Sequence, residues 1–123
     1  MRRSDQRRSA VVALYQEDLT GRESAAPATA FARELVEGVR GRHEELDALI
    51  ERHSVGWTLD RIAPLERNIM RVALFELLHR PDVPTEVAID EAVEAAKELC
   101  SADAPGFVNG ILGAAAHEES AAT

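Results

Sequence analysis

One cysteine, Cys100, stands alone in 123 residues, so no internal disulfide staples the fold. Aromatic residues are also few, 4% of the chain. No β-branched or aromatic run alternates with polar residues, the pattern that a half-buried strand requires. No apolar stretch approaches the ~20 residues that span a bilayer, and Met1–Ser4 lead into nothing like a signal segment. The expectation is a cytoplasmic protein with no membrane association. Glycine-rich phosphate loops of the GxGxxG or GKS/T kind are missing, and the histidines His43, His53, His79 and His117 are scattered without an HExxH. The Glu-x-x-His formed by Glu76 and His79 is one quarter of a di-iron ligand set and has no second to match it. His79 is therefore read as a surface residue at a helix end, where the dipole favours its charge. Cys100 ends an apolar stripe with no histidine indicated beside it and reads as a core-boundary residue, not a catalytic thiol. No catalytic residue, metal ligand or cofactor is expected.

What is present is charge, unevenly placed. Fourteen Lys and Arg against 22 Asp and Glu give a net −8. Residues 1–9 carry Arg2, Arg3, Arg7 and Arg8 against Asp5, a net +3, which leaves −11 for the remainder. An acidic body with a basic end suits a protein that meets a polyanion at one place and something else elsewhere. The length, with 46% hydrophobic residues, fits one domain over 1–123.

Ala, Glu, Leu and Arg dominate and favour helix, so the class is all-α. Proline and glycine divide the chain. A first helix is expected from about Ser4 to Leu19, ended by Gly21, with Val11, Val12, Leu14, Tyr15 and Leu19 as its apolar face. Arginines in its first turns oppose the macrodipole, so local helix stability does not explain them, whereas an external anion does. A second helix is expected from near Pro27, with residues 43–53 forming a third or a bent continuation of the second. A fourth starts at Pro64 and is apolar nearly all round, the pattern of a helix at the centre of a core. Arg71 and Glu76, the only charges within Ile69 to Leu78, need partners on neighbouring helices. Pro81 and Pro84 separate it from a fifth helix capped by Thr85. A sixth starts after Asp103 and carries Phe107, Val108, Ile111 and Leu112 inward. Residues 1–3 and 118–123 are expected to fray. Gly106, Gly110 and Gly113, costly inside a helix, suggest close packing or a ligand near the backbone.

Four segments in order, Arg7–Tyr15 (RRSAVVALY), Leu65–Leu77 (LERNIMRVALFEL), Asp82–Lys97 (DVPTEVAIDEAVEAAK) and Phe107–Leu112 (FVNGIL), resemble the NusB family of transcription antitermination factors. The resemblance covers residues 3 to 115. It implies a bundle of about six to seven helices in two packed subdomains, without a catalytic site. It also implies binding of the single-stranded boxA element of ribosomal RNA leaders, together with the ribosomal protein NusE, within an RNA polymerase antitermination complex. Arg3 and Arg7 fall on basic positions of the family's RNA-binding cluster and Phe107 on its RNA-facing aromatic. Arg2 and Arg8 join them on charge alone. Tyr15 and Glu66 match positions that face NusE, with Leu19 as their neighbour.

Two departures, Asp5 within the basic cluster and Gly106 where relatives place a basic residue, remove attraction and imply weak RNA binding without NusE. Other readings stay open at this level. Phe107 and Tyr15 fit a core as well as an interface. The whole chain also fits a helical adaptor or homodimer in which the arginines are incidental. A methyltransferase reading, from the similar helical domain found in such enzymes, lacks room for a cofactor-binding α/β domain.

Overall fold

The computed structural model describes residues 2–122. Its elements are α1 (Arg3–Thr20), α2 (Ala30–Gly41), α3 (His43–His53), a 3-10 turn at Leu59–Arg61, α4 (Pro64–His79), α5 (Thr85–Leu99) and α6 (Ala104–Ala122). Among the described residues there is no strand, so the class is all-α, with six helices and one short turn.

Local chemistry sets most boundaries. Gly21 ends α1 in the left-handed region at φ 71°, its N–H donating to the Glu17 carbonyl, a conformation that glycine adopts without steric cost. α2 begins later than Pro27 suggested, because the Thr29 hydroxyl accepts from the Ala32 N–H and makes Thr29 the cap. At α5 the expectation fails in the other direction. Pro84 holds the cap position and Thr85 is the first helical residue, with no side-chain cap bond.

The chain ends also differ from expectation. α1 is helical from Arg3, and α6 continues to Ala122 past the predicted fray point. Glu118 accounts for this, since it pairs with Arg52 at 2.7 Å and His53 at 3.3 Å and ties the last turns of α6 to α3. Met1 and Thr123, parts of the frayed ends expected above, lie outside the described residues.

α4 is the spine of the molecule. All nine residues from Asn68 to Glu76 are buried, and α1, α2, α3, α5 and α6 all pack against it. Ile69, Met70 and Leu74 meet Leu35 of α2, Leu46 and Ile50 of α3 and Leu112 of α6 in one continuous core. Each such side chain, fully buried, contributes about 1.5–3 kcal/mol. α1 with α2 and α5 with α6 form closely packed pairs on this spine.

The two buried charges in α4 find partners on neighbouring helices, as burial demands. Arg71 forks onto Asp47 of α3 at 2.7 and 3.0 Å and reaches Asp18 of α1 at 2.9 Å, while Asn68 bridges Asp18 and Arg71. Glu76 receives Arg7 of α1 at 2.8 and 2.9 Å. Close packing does involve a glycine, though not those of α6. A Cβ on Gly38 of α2 would lie 2.2 Å from the Phe75 ring, whereas Gly106, Gly110 and Gly113 have nothing within 4 Å of theirs. Packing therefore does not account for the α6 glycines.

Candidate nucleic-acid and partner interface

The basic end is ordered by carboxylates of the same chain. Arg2 faces Asp5 at 3.8 Å, Arg3 faces Asp82 at 3.3 Å, and Arg8 faces Glu98 of α5 at 3.1 Å. Arg3, Arg7 and Arg80 also gather around the buried Phe31 ring, 4.3, 5.4 and 5.2 Å from its centroid, where the ring quadrupole eases three neighbouring cations. Asp82 accepts from both Arg80 and Arg3, and Arg80 also bonds Glu34. These bonds, Arg80's first, hold the Asp82 carboxyl at about 2.

Arg7 departs from its predicted role. Its residue is 8% exposed, its guanidinium fork is occupied by Glu76, and Glu91 lies 3.9 Å away. A bidentate buried pair leaves no fork for a phosphate. Arg7 therefore anchors α1 to α4, and the arginines open to an outside anion are Arg2, Arg3 and, in part, Arg8.

Phe107 stands in the first turn of α6, half-buried, one side packed on the core. Its other side meets Trp57 edge to face, with ring centroids 6.5 Å apart and planes at 71°. The two rings border a groove of about 310 Å³ whose walls include Arg61, Glu66 and Asp103. Phe107 and Glu66, assigned by resemblance to RNA and to the partner, thus share one groove. Glu66 has a structural task as well. It lies in the first turn of α4, and its carboxylate accepts from the Ala63 N–H, one half of a capping box. Burial pushes its carboxyl above the usual range, against the lowering effect of that bond.

Tyr15 is half-buried, outside the core formed by its neighbours Ala10, Val11, Ala13 and Leu14. Leu19, 60% exposed, is an apolar side chain left in water near the end of α1. Trp57, 52% exposed, received no role from the sequence. The one available signal was a lone tryptophan inside a polar, turn-rich segment. The counter-charges Asp82 and Glu98 were likewise invisible, since 79 and 90 residues separate them from their arginines.

His79, the last residue of α4, sits 2.6 Å from Glu45. Cys100 is partly buried at the end of α5, and burial, with the Glu66 charge, pushes its thiol up and away from reactivity.

Known proteins resemble this chain in sequence and in fold. The family model described as the NusB family matches residues 3–117. The transcription antitermination protein NusB of Frankia casuarinae is 56% identical over 90 residues, 73% of this chain and 67% of that protein. Its namesake from Myxococcus xanthus is 52% identical over 85 residues, 69% of this chain and 61% of that protein, so less than two thirds of this second relative is spanned. Among solved structures, T. maritima NusB superposes with a TM-score of 0.88 at 33% identity, covering 96% of this chain and 92% of that one. A structure of the antitermination factors NusB and NusE in complex with dsRNA superposes at 0.82 and 27% identity, covering 94% and 96%. With its helical order and nearly its whole length accounted for in this way, the chain belongs to the NusB family.

Proposed function

We propose that this chain is a transcription antitermination factor, a non-catalytic scaffold that binds boxA-type single-stranded RNA of ribosomal RNA leaders together with NusE in an RNA polymerase antitermination complex. The observation that carries the reading is the groove shared by Phe107 and Glu66, which joins an aromatic surface for bases to a carboxylate suited to a basic partner. The likeness to a solved NusB–NusE assembly with RNA supports the choice of partner. That RNA is double-stranded. A single strand is favoured here because an open ring stacks only on a base already released from its neighbours. The acidic body complements a basic ribosomal protein and raises the rate of encounter. Tyr15 and Leu19 on α1 complete the partner surface that the family resemblance assigns with Glu66.

Fluorescence anisotropy of a boxA-like RNA and a scrambled control, with and without NusE across a salt series, tests the proposal. Arg2, Arg3 and Arg8 predict a log–log salt slope of about −2, from roughly 0.7 per phosphate on a single strand. Binding selective for boxA and strengthened by NusE is the expected result. Absence of binding to either RNA, even with NusE, returns the chain to the adaptor or homodimer reading, with the exposed Val12 and Leu19 of α1 as its contact.

A further inference from the structure

Trp57 is an exposed indole on a backbone that is not free to move. Gly56 turns the chain at φ 83°. The Trp57 N–H then donates to the Ser54 carbonyl at 3.0 Å, and the Ser54 hydroxyl, on a residue only 3% exposed, donates to the Trp57 carbonyl at 3.0 Å. The turn is therefore anchored in the core while its largest side chain is left in water, where it forgoes the stabilisation that burial gives. A held, exposed aromatic of this kind is preorganised for a flat ligand.

We propose that Trp57 and Phe107 form a corner that receives one unstacked nucleobase of the bound RNA, with Asp103 accepting hydrogen bonds from the base edge. The charge of the groove selects a base over a phosphate. Two carboxylates and one cation, Arg61, line it, which repels an anion yet offers acceptors to the amino and imino groups of a base. Trp57, 52% exposed beside its edge-to-face contact with Phe107, keeps ring surface free for a third ring. Arg61, on the 3-10 turn, remains for the phosphate that follows the base. The proposal rests on the RNA-binding reading above, which it deepens by naming Trp57 as a contact that the four family-like segments do not include.

The sole tryptophan reports on its own occupancy. A labelled single-stranded boxA-like RNA is titrated into the full chain while anisotropy and indole emission are followed together. Where NusE is added, its emission is removed by difference against Trp57→Phe. Quenching that saturates with the anisotropy is expected. Trp57→Ala should lose about 5- to 150-fold in RNA affinity, the range for one stacked base, while Trp57→Phe stays within about threefold and thermal melting is unchanged in both. RNA binding with constant emission, and equal affinity for Trp57→Ala, removes the corner and leaves the RNA-binding reading standing. Quenching by NusE without RNA, with Trp57→Ala weakening only NusE, makes the groove a protein site and overturns the proposal. No RNA bound by the wild-type chain under any condition overturns both.

Discussion

Arg7 and Arg3 lie one helical turn apart in α1, yet their surroundings assign them opposite tasks. Arg7 faces Glu76, 1% exposed, and the removal of one partner leaves the other charge buried and unpaired. Arg7→Ala should therefore destabilise the fold by about 3–5 kcal/mol in urea unfolding. Arg3, half in water, should cost less than about 1 kcal/mol when changed to Ala, because an exposed pair contributes little. RNA affinity should show the reverse sensitivity once the Arg7 variant is measured in the folded state. Equal stability of the two variants would refute the anchoring role. Both residues are read from sequence as one basic cluster, since charge and spacing are all that sequence supplies. What separates them is Glu76, 69 residues away, whose burial cannot be seen from the first helix. For Glu66 the same reasoning favours Glu66→Gln as the probe. The amide keeps the acceptor for Ala63 and removes only the charge, so NusE binding should weaken with stability preserved, and unchanged NusE affinity would remove Glu66 from that surface.

At the scale of elements, glycine is where intuition and packing diverge. Gly38→Ala forces a methyl into the Phe75 ring, which is itself 9% exposed and held in the core, so a loss of about 1–3 kcal/mol is expected. Gly113→Ala, on the exposed side of α6 with nothing near its Cβ, should instead stabilise by about 0.4–1 kcal/mol by narrowing the unfolded ensemble. Thermal melting of the two variants tests the pair, and shifts of the same sign would contradict it. The sequence drew attention to the α6 glycines and not to Gly38, because close approach depends on which helix arrives opposite. Helix existence was far more legible. The apolar run of α4, the stop at Gly21 and the breaks at Pro81 and Pro84 all declare themselves locally. Start positions were less so, as at Thr29, where a hydroxyl chose the cap from among several candidates.

Across the whole molecule, carboxylates outnumber cations, and stability should follow their ionisation. Hydrogen bonds from Arg80 and Arg3 hold Asp82 at about 2, and those from Arg52 and His53 lower Glu118. Burial raises Glu17, but bonds from Arg40 and Ser24 outweigh it and lower the carboxyl overall. A group depressed in the folded state binds protons more readily when unfolded, so its stabilisation is full above the unfolded value and is lost as pH falls through the folded one. Glu66 runs the other way. Its raised value makes the charged form a small penalty at neutral pH that protonation relieves. With four depressed carboxylates, Asp60 beside the Thr58 hydroxyl being the fourth, against one raised, the urea midpoint should change little from pH 7 to 5 and fall mainly below about 4. A fall concentrated between pH 7 and 5 would mean that other groups control acid unfolding.

The helical class, the order of the helices, the central place of α4, the acidic body with its basic end and the family were all legible in the chain of residues. These follow from periodicity, punctuation and composition, which act over a few residues or as sums over the chain. Packing alone makes Arg7 an anchor, sets Asp82 against Arg3 and Glu98 against Arg8, and brings Trp57, Glu66 and Phe107 to one groove. Each depends on residues 9 to 90 positions apart in the chain being brought side by side, and such pairings arise only when helices pack and water is removed between them.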